Sequence, residues 1–159
     1  MELPWELIRA VPGVYLNDDY EVVLVDGRAL GPGNAADVRW TGSGWRFRLL
    51  GSRRVEWLGD LLHEVGHVVL GHVSKAEPSE PRPATLDSLV GAVLSGALTQ
   101  EEAARRAGDE LSAAVLRIVL QHEEEAEAWA RRELERWRRI LAGVLDTKEN
   151  TNGEVVGKI

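Results

Sequence analysis

Cysteine is absent from this 159-residue chain, which excludes disulfides, thiolate metal sites and a cysteine nucleophile. Any bound metal must then take nitrogen and oxygen donors. No apolar run approaches the roughly 18 to 20 residues of a membrane span. Met1 to Gly13 lacks the basic start and long apolar run of a secretion signal. A cytoplasmic protein with no membrane partner is expected. Positive charge is also in short supply: the formal charge of -7 repels a phosphate backbone and argues against direct nucleic-acid binding. Lysine and methionine are scarce, at three and one residues, and no function follows from either.

What is present suits one packed core. The chain is 44% apolar and 28% charged and holds six tryptophans, as expected of a single soluble domain. Pro4 followed by Trp5, Leu7, Ile8 and Val11 predicts a short helix stopped by Pro12-Gly13. Tyr20 to Asp26 reads as a strand buried on both faces. Ala36–Trp40 and Trp45–Leu49 flank Thr41-Gly42-Ser43-Gly44 as a hairpin with one wet face. From about Val55 the period turns helical and runs to Gly71. Residues 73–83, with three prolines, predict a flexible loop. Thr85 to Leu98 reads as a helix, Thr99 with Glu102 as a capping box, and Glu110 to Leu145 as a long helix. Residues 146–159 have a composition foreign to the rest and predict a disordered tail. The expected architecture is α+β, one domain over 1–145, with a small twisted sheet packed on the helix of residues 55–71 and on the long C-terminal helix.

His63-Glu64-Val65-Gly66-His67 matches H-E-x-x-H. Residues four apart on a helix share a face, so both imidazoles can reach one Zn2+ ion. Glu64, rotated about 100° from His63, stays outside the ligand set yet close enough to act as a base toward water. Four His and 18 Glu would produce the pattern by chance in on the order of one per cent of shuffled chains. Its surroundings lower that further, because Leu61, Leu62, Val65 and Val68 make this a core helix in which histidines need partners. Gly66 in mid-helix costs about 1 kcal/mol against alanine and implies that a backbone or a substrate passes close by.

A catalytic zinc site of this kind needs a third protein ligand. His72 points about 140° away from His67 on a helical projection, as a helix-end histidine would. On the long helix the apolar stripe Leu111, Val115, Val119, Ala126, Ala130, Trp137 and Leu141 contains Glu123, while Glu124 faces solvent and Glu125 and Glu127 lie at its margins. An inward carboxylate must be paired or metal-bound, which makes Glu123 the candidate, with His122, Glu125 or Glu127 as substitutes. His122, central in the stripe, reads as a core histidine or as a group that contacts the transition-state oxyanion.

With both segments in hand the chain resembles the ImmA/IrrE metallopeptidases of the gluzincin group. The resemblance is carried by His63-Glu64-Val65-Gly66-His67-Val68-Val69-Leu70-Gly71-His72 and by Glu123-Glu124-Glu125-Ala126-Glu127-Ala128-Trp129-Ala130, about half the chain being covered. It implies a minimal gluzincin-like domain and a zinc metallopeptidase in which His63, His67 and Glu123 hold Zn2+ and Glu64 is the base. It also implies that Glu127 supports a ligand histidine from outside the ligand set, although Glu127 stands where the family has Asn or Asp and Trp129 where it has Phe. The partner implied is a protein or peptide substrate, a transcriptional repressor or other regulator in that family.

Two other readings compete. Leu98 to Gly108 looks like the opening of a repressor-type helix-turn-helix spanning 98–120, but Asp109, Glu110 and an apolar run follow where a basic recognition helix belongs. The other is a zinc-bound interaction module without turnover.

Overall fold

The computed structural model describes residues 2–30, 33–75 and 84–158, with backbone alone for Ala84 and for residues 147–158. Two short helices, α1 (Trp5–Ala10) and α2 (Pro12–Tyr15), lead into β1 (Tyr20–Val25) and the single-turn α3 (Gly27–Leu30). The hairpin β2 (Ala36–Trp40) and β3 (Trp45–Leu50) follows, then a 3-10 turn and α4 (Trp57–Val69). Beyond these lie α5 (Ala84–Leu94), α6 (Gln100–Arg106) and α7 (Glu110–Lys158).

The sheet order is β1-β3-β2, with β1 parallel and β2 antiparallel to β3. Alternation in β3 decides its faces. Trp45, Phe47 and Leu49 are almost fully buried, each contributing about 1.5–3 kcal/mol by leaving water. Arg46 and Arg48 point the other way, where the register sets them opposite Glu21 and Asp37 and both form ion pairs. The wet face is thus a cross-strand charge ladder. At the hairpin, Gly44 is required by space, because a Cβ there would meet the Asp19 carbonyl oxygen at 2.7 Å.

The inner face of β3 packs on α4, whose Leu61, Leu62 and Val65 are fully buried. Ile8, Val11, Val22, Trp57 and Ala130 of α7 complete this first core. A second, smaller core joins Val90 of α5, Ala103 of α6 and Leu116 and Leu120 of α7. Helix α7 therefore runs through both. No helix among the described residues is long and apolar enough to cross a membrane.

Several expectations need correction. The first helix ends at Ala10, just before Pro12 as expected, but Pro12 and Gly13 then open a further turn, α2, in keeping with the freedom of proline at a first helical position. Strand β1 pairs with β3 alone and has only Val22 buried, so it is a sheet edge rather than a strand covered on both faces. The early part of the projected stripe on α7 is also displaced: Leu111 is 80% exposed and Val115 46%, while Leu116 and Leu120 are buried. The helix expected over 85–98 ends at Leu94, with Gly96 at positive φ reversing the chain. Of the expected loop 73–83, residues 76–83 lie outside the described residues. The segment 146–159 falls on the last turns of α7, up to Lys158, with Ile159 outside the description.

Candidate metal centre

His63 and His67 sit one turn apart on the side of α4 that faces α7. Gly66 lets the helices meet there. A Cβ on it would lie 3.0 Å from Trp129 Cε3 and 3.3 Å from the Ala126 carbonyl oxygen, so the close neighbour anticipated for this glycine is the backbone of α7. Glu123, three residues before Ala126, is thereby set opposite both imidazoles.

The donor atoms converge. His63 Nε2 and His67 Nε2 are 3.2 Å apart. Glu123 Oε2 is 2.8 Å from the first and Oε1 is 3.3 Å from the second. The ligand atoms of His63, Glu64 and His67 all lie within 4.8 Å of one another, a group able to hold a metal ion. The side chains of His63, His67 and Glu123 are 19%, 10% and 15% exposed, sheltered yet reachable.

Electrostatics point the same way. Burial pushes the His63 pKa down, but Glu123, Glu64 and Glu127 outweigh it and raise it to about 9. Burial likewise opposes ionisation of Glu123, yet hydrogen bonds from His63 and His67 hold its carboxyl well below the usual carboxylate range. Two imidazole nitrogens at this separation, with a carboxylate against both, must share a proton or a cation. The donor set of two nitrogens and a carboxylate fits a divalent metal.

The other candidates surround this centre. Glu127 Oε2 is 2.9 Å from His63 Nδ1, the ring nitrogen that faces away from Glu123, and its Oε1 accepts from Arg131. Glu124 is exposed. His122 is stacked on His72 with ring centroids 3.9 Å apart and planes 5° from parallel. Burial and the neighbouring His72 lower its pKa. Of the substitutes considered for the third ligand, Glu125 faces His72 and His122 stacks on it, so Glu123 is the acid at both Nε2 atoms. Asp60, the other acid on α4, is held by Arg53 at 2.9 Å.

His72 does not point away. Gly71, at φ 77°, ends the helix in the left-handed conformation. The His72 amide donates to the His67 carbonyl at 2.8 Å, and its ring returns so that His72 Nδ1 lies 3.0 Å from His67 Nδ1. Glu125 Oε2 lies 3.3 Å from His72 Nε2. All four histidines of the chain, His63, His67, His72 and His122, thus gather at one place. The sequence reading gave His72 a helix-end role and Glu125 a substitute ligand's, and missed the contacts that join Glu125 to His72 and His72 to His67; the glycine before His72 was the signal that a helical projection stops applying there.

Comparisons with family models, with curated proteins and with solved structures each give no match.

Proposed function

We propose that this protein is a zinc-dependent peptidase of the ImmA/IrrE kind, acting in the cytoplasm on a protein or peptide substrate such as a transcriptional repressor. One observation carries the reading: the Glu123 carboxylate spans the Nε2 atoms of His63 and His67, at 2.8 and 3.3 Å. A set of nitrogen and oxygen donors without thiolate suits Zn2+, and the resemblance of both segments to the family supports the same assignment. The repressor substrate rests on that resemblance alone.

Bound Zn2+ supplies Lewis-acid polarisation and makes water more acidic. Glu64 takes a proton from the attacking water as the water oxygen bonds to the scissile carbonyl carbon. It then gives that proton to the amide nitrogen as the C–N bond breaks, leaving a carboxylic acid and an amine, and the acid's own proton passes to the amine to give carboxylate and ammonium products. Glu127 orients the His63 ring through Nδ1. Against the DNA-binding alternative stands the exposed surface of the first turns of α7, where Leu111, Val115 and Ile118 are joined by Arg117 as the one basic residue.

Metal analysis of the purified protein, followed by turnover of unstructured peptides, tests this. The wild type should retain about one zinc and cut, Glu64→Gln should retain zinc without cutting, and His67→Ala and Glu123→Ala should lose both. A wild type that takes up no metal would overturn the proposal, and undiminished cutting by Glu64→Gln would remove its base. Zinc retained with no turnover by any form would leave the inert-module alternative in its place.

A further inference from the structure

We infer that His72 and Glu125 act as positioning residues that hold His67 in its metal-ligating tautomer through a two-step hydrogen-bond relay. The inference rests on the metal reading above and adds residues to it that the H-E-x-x-H pattern does not contain.

The argument follows from counting protons. His67 Nδ1 and His72 Nδ1 are 3.0 Å apart, so one of them must donate and the other accept. A neutral imidazole carries one N–H. If His72 were the donor, the proton of His67 would sit on Nε2, the nitrogen that faces His63 and Glu123, and no lone pair would be left there for a metal. Without a metal, Glu123 Oε1 competes for the same proton at 3.3 Å from His67 Nε2; once that carboxylate is engaged by a cation, the outer end of the relay sets the direction. Glu125 Oε2 stands 3.3 Å from His72 Nε2, and a carboxylate only accepts. It therefore draws the His72 proton to Nε2, leaves a lone pair on Nδ1, and requires His67 to donate from Nδ1. His67 Nε2 is then free to ligate.

Two further features hold the relay in place. The His72 side chain is 6% exposed, so water competes weakly for its nitrogens. His122 lies flat against it, at 3.9 Å and 5°, which fixes the plane of the ring. The two ligand imidazoles are thus supported differently. His63 has a carboxylate directly at Nδ1, whereas His67 reaches one through an intervening imidazole. Relaying the contact moves the outer carboxylate to an exposed position on α7, where changing it leaves the core intact.

The test uses Zn2+ and two readouts. In the zinc-loaded wild type, long-range proton–nitrogen correlation spectra should show His67 protonated at Nδ1 and His72 protonated at Nε2, with the His72 proton no longer confined to Nε2 in Glu125→Ala. Competition with a chelator should show Zn2+ bound about 10 to 100 times more weakly by His72→Ala and Glu125→Ala. Replacement by Gln at either position restores an acceptor and should recover most of the affinity. Because Glu125 is exposed, its variants remain informative even if His72→Ala fails to fold. A wild type that binds Zn2+ tightly, with affinity unchanged in Glu125→Ala and His72→Ala and the His72 tautomer unchanged in Glu125→Ala, would overturn the relay while leaving the metal reading intact. A wild type that binds no Zn2+ would instead remove the metal reading and the relay's purpose with it.

Discussion

Gly66 stands so close to Ala126 that a Cβ on it would lie 3.3 Å from the Ala126 carbonyl oxygen, with Trp129 closer still at 3.0 Å. Larger side chains must push α7 away and carry Glu123 with it. Gly66→Val should therefore destabilise by about 1–3 kcal/mol through overpacking and loosen zinc retention. Gly59 is the contrast: its added Cβ would sit 3.7 Å from Leu134 Cδ2, an ordinary contact, so Gly59→Ala should gain up to about 1 kcal/mol in helix propensity. Urea titrations of the two variants should move in opposite directions. A shared direction would contradict the close approach.

Stability of the metal-free protein should depend on pH through His63 and Glu123. His63 has its pKa raised from 6.5 to about 9 in the fold, so its stabilisation is complete below the unfolded value and is lost as pH rises through about 9. Glu123 has its pKa lowered, so its stabilisation is complete above the ordinary carboxylate value and is lost as pH falls. Melting temperature without metal should peak between about pH 5 and 6.5 and decline toward pH 9. Glu123→Gln should flatten the alkaline decline. With zinc the trend should reverse, since ligation requires neutral imidazoles and releases protons. Thermal melts across pH, with and without chelator, read both arms.

Tyr15 ties the N-terminal helices to α7. Its hydroxyl donates to Glu133 Oε1 at 2.8 Å and accepts from Trp137 Nε1 at 2.7 Å. Burial is the chief cause that pushes its pKa up to about 12. Tyr15→Phe leaves Trp137 Nε1 unmatched and Glu133 with Arg136 alone, and should cost about 1–3 kcal/mol. An ultraviolet titration of the wild type should show a tyrosine ionising near pH 12 that Tyr15→Phe lacks. Stabilisation from this phenol is complete below its unfolded pKa and fades as pH passes 12.

Leu116 anchors the second core and is fully buried. Leu116→Ala should cost about 2–5 kcal/mol by loss of burial and creation of a cavity. Since Glu123 lies two turns further along the same helix, the variant should also bind zinc more weakly. Equal zinc affinity in a destabilised Leu116→Ala would show that the two cores do not communicate.

Much of this was legible in the sequence because it depends on local periodicity. The hairpin followed from alternation around two glycines, and the Thr99 side chain does accept from the Glu102 amide. Glu123 came from the phase of a helix near Ala126 and Ala130, where that phase holds. Non-local facts were hidden. That β1 would pair on one side only is a matter of strand order, which a run of Val and Leu does not encode. The stripe failed at Leu111 and Val115 because α7 packs on α5 and α6 at one end and on α4 at the other, and the buried side rotates between them. His72 was lost to the projection because Gly71 takes the chain out of the helix.

One rod threads both apolar clusters, and Glu123 rides on it between Leu120 and Ala126. The acid ligand consequently behaves like a pointer on a beam with two bearings. A partner gripping α5 and α6 at the far bearing is therefore expected to be felt by the imidazoles on α4 without touching them.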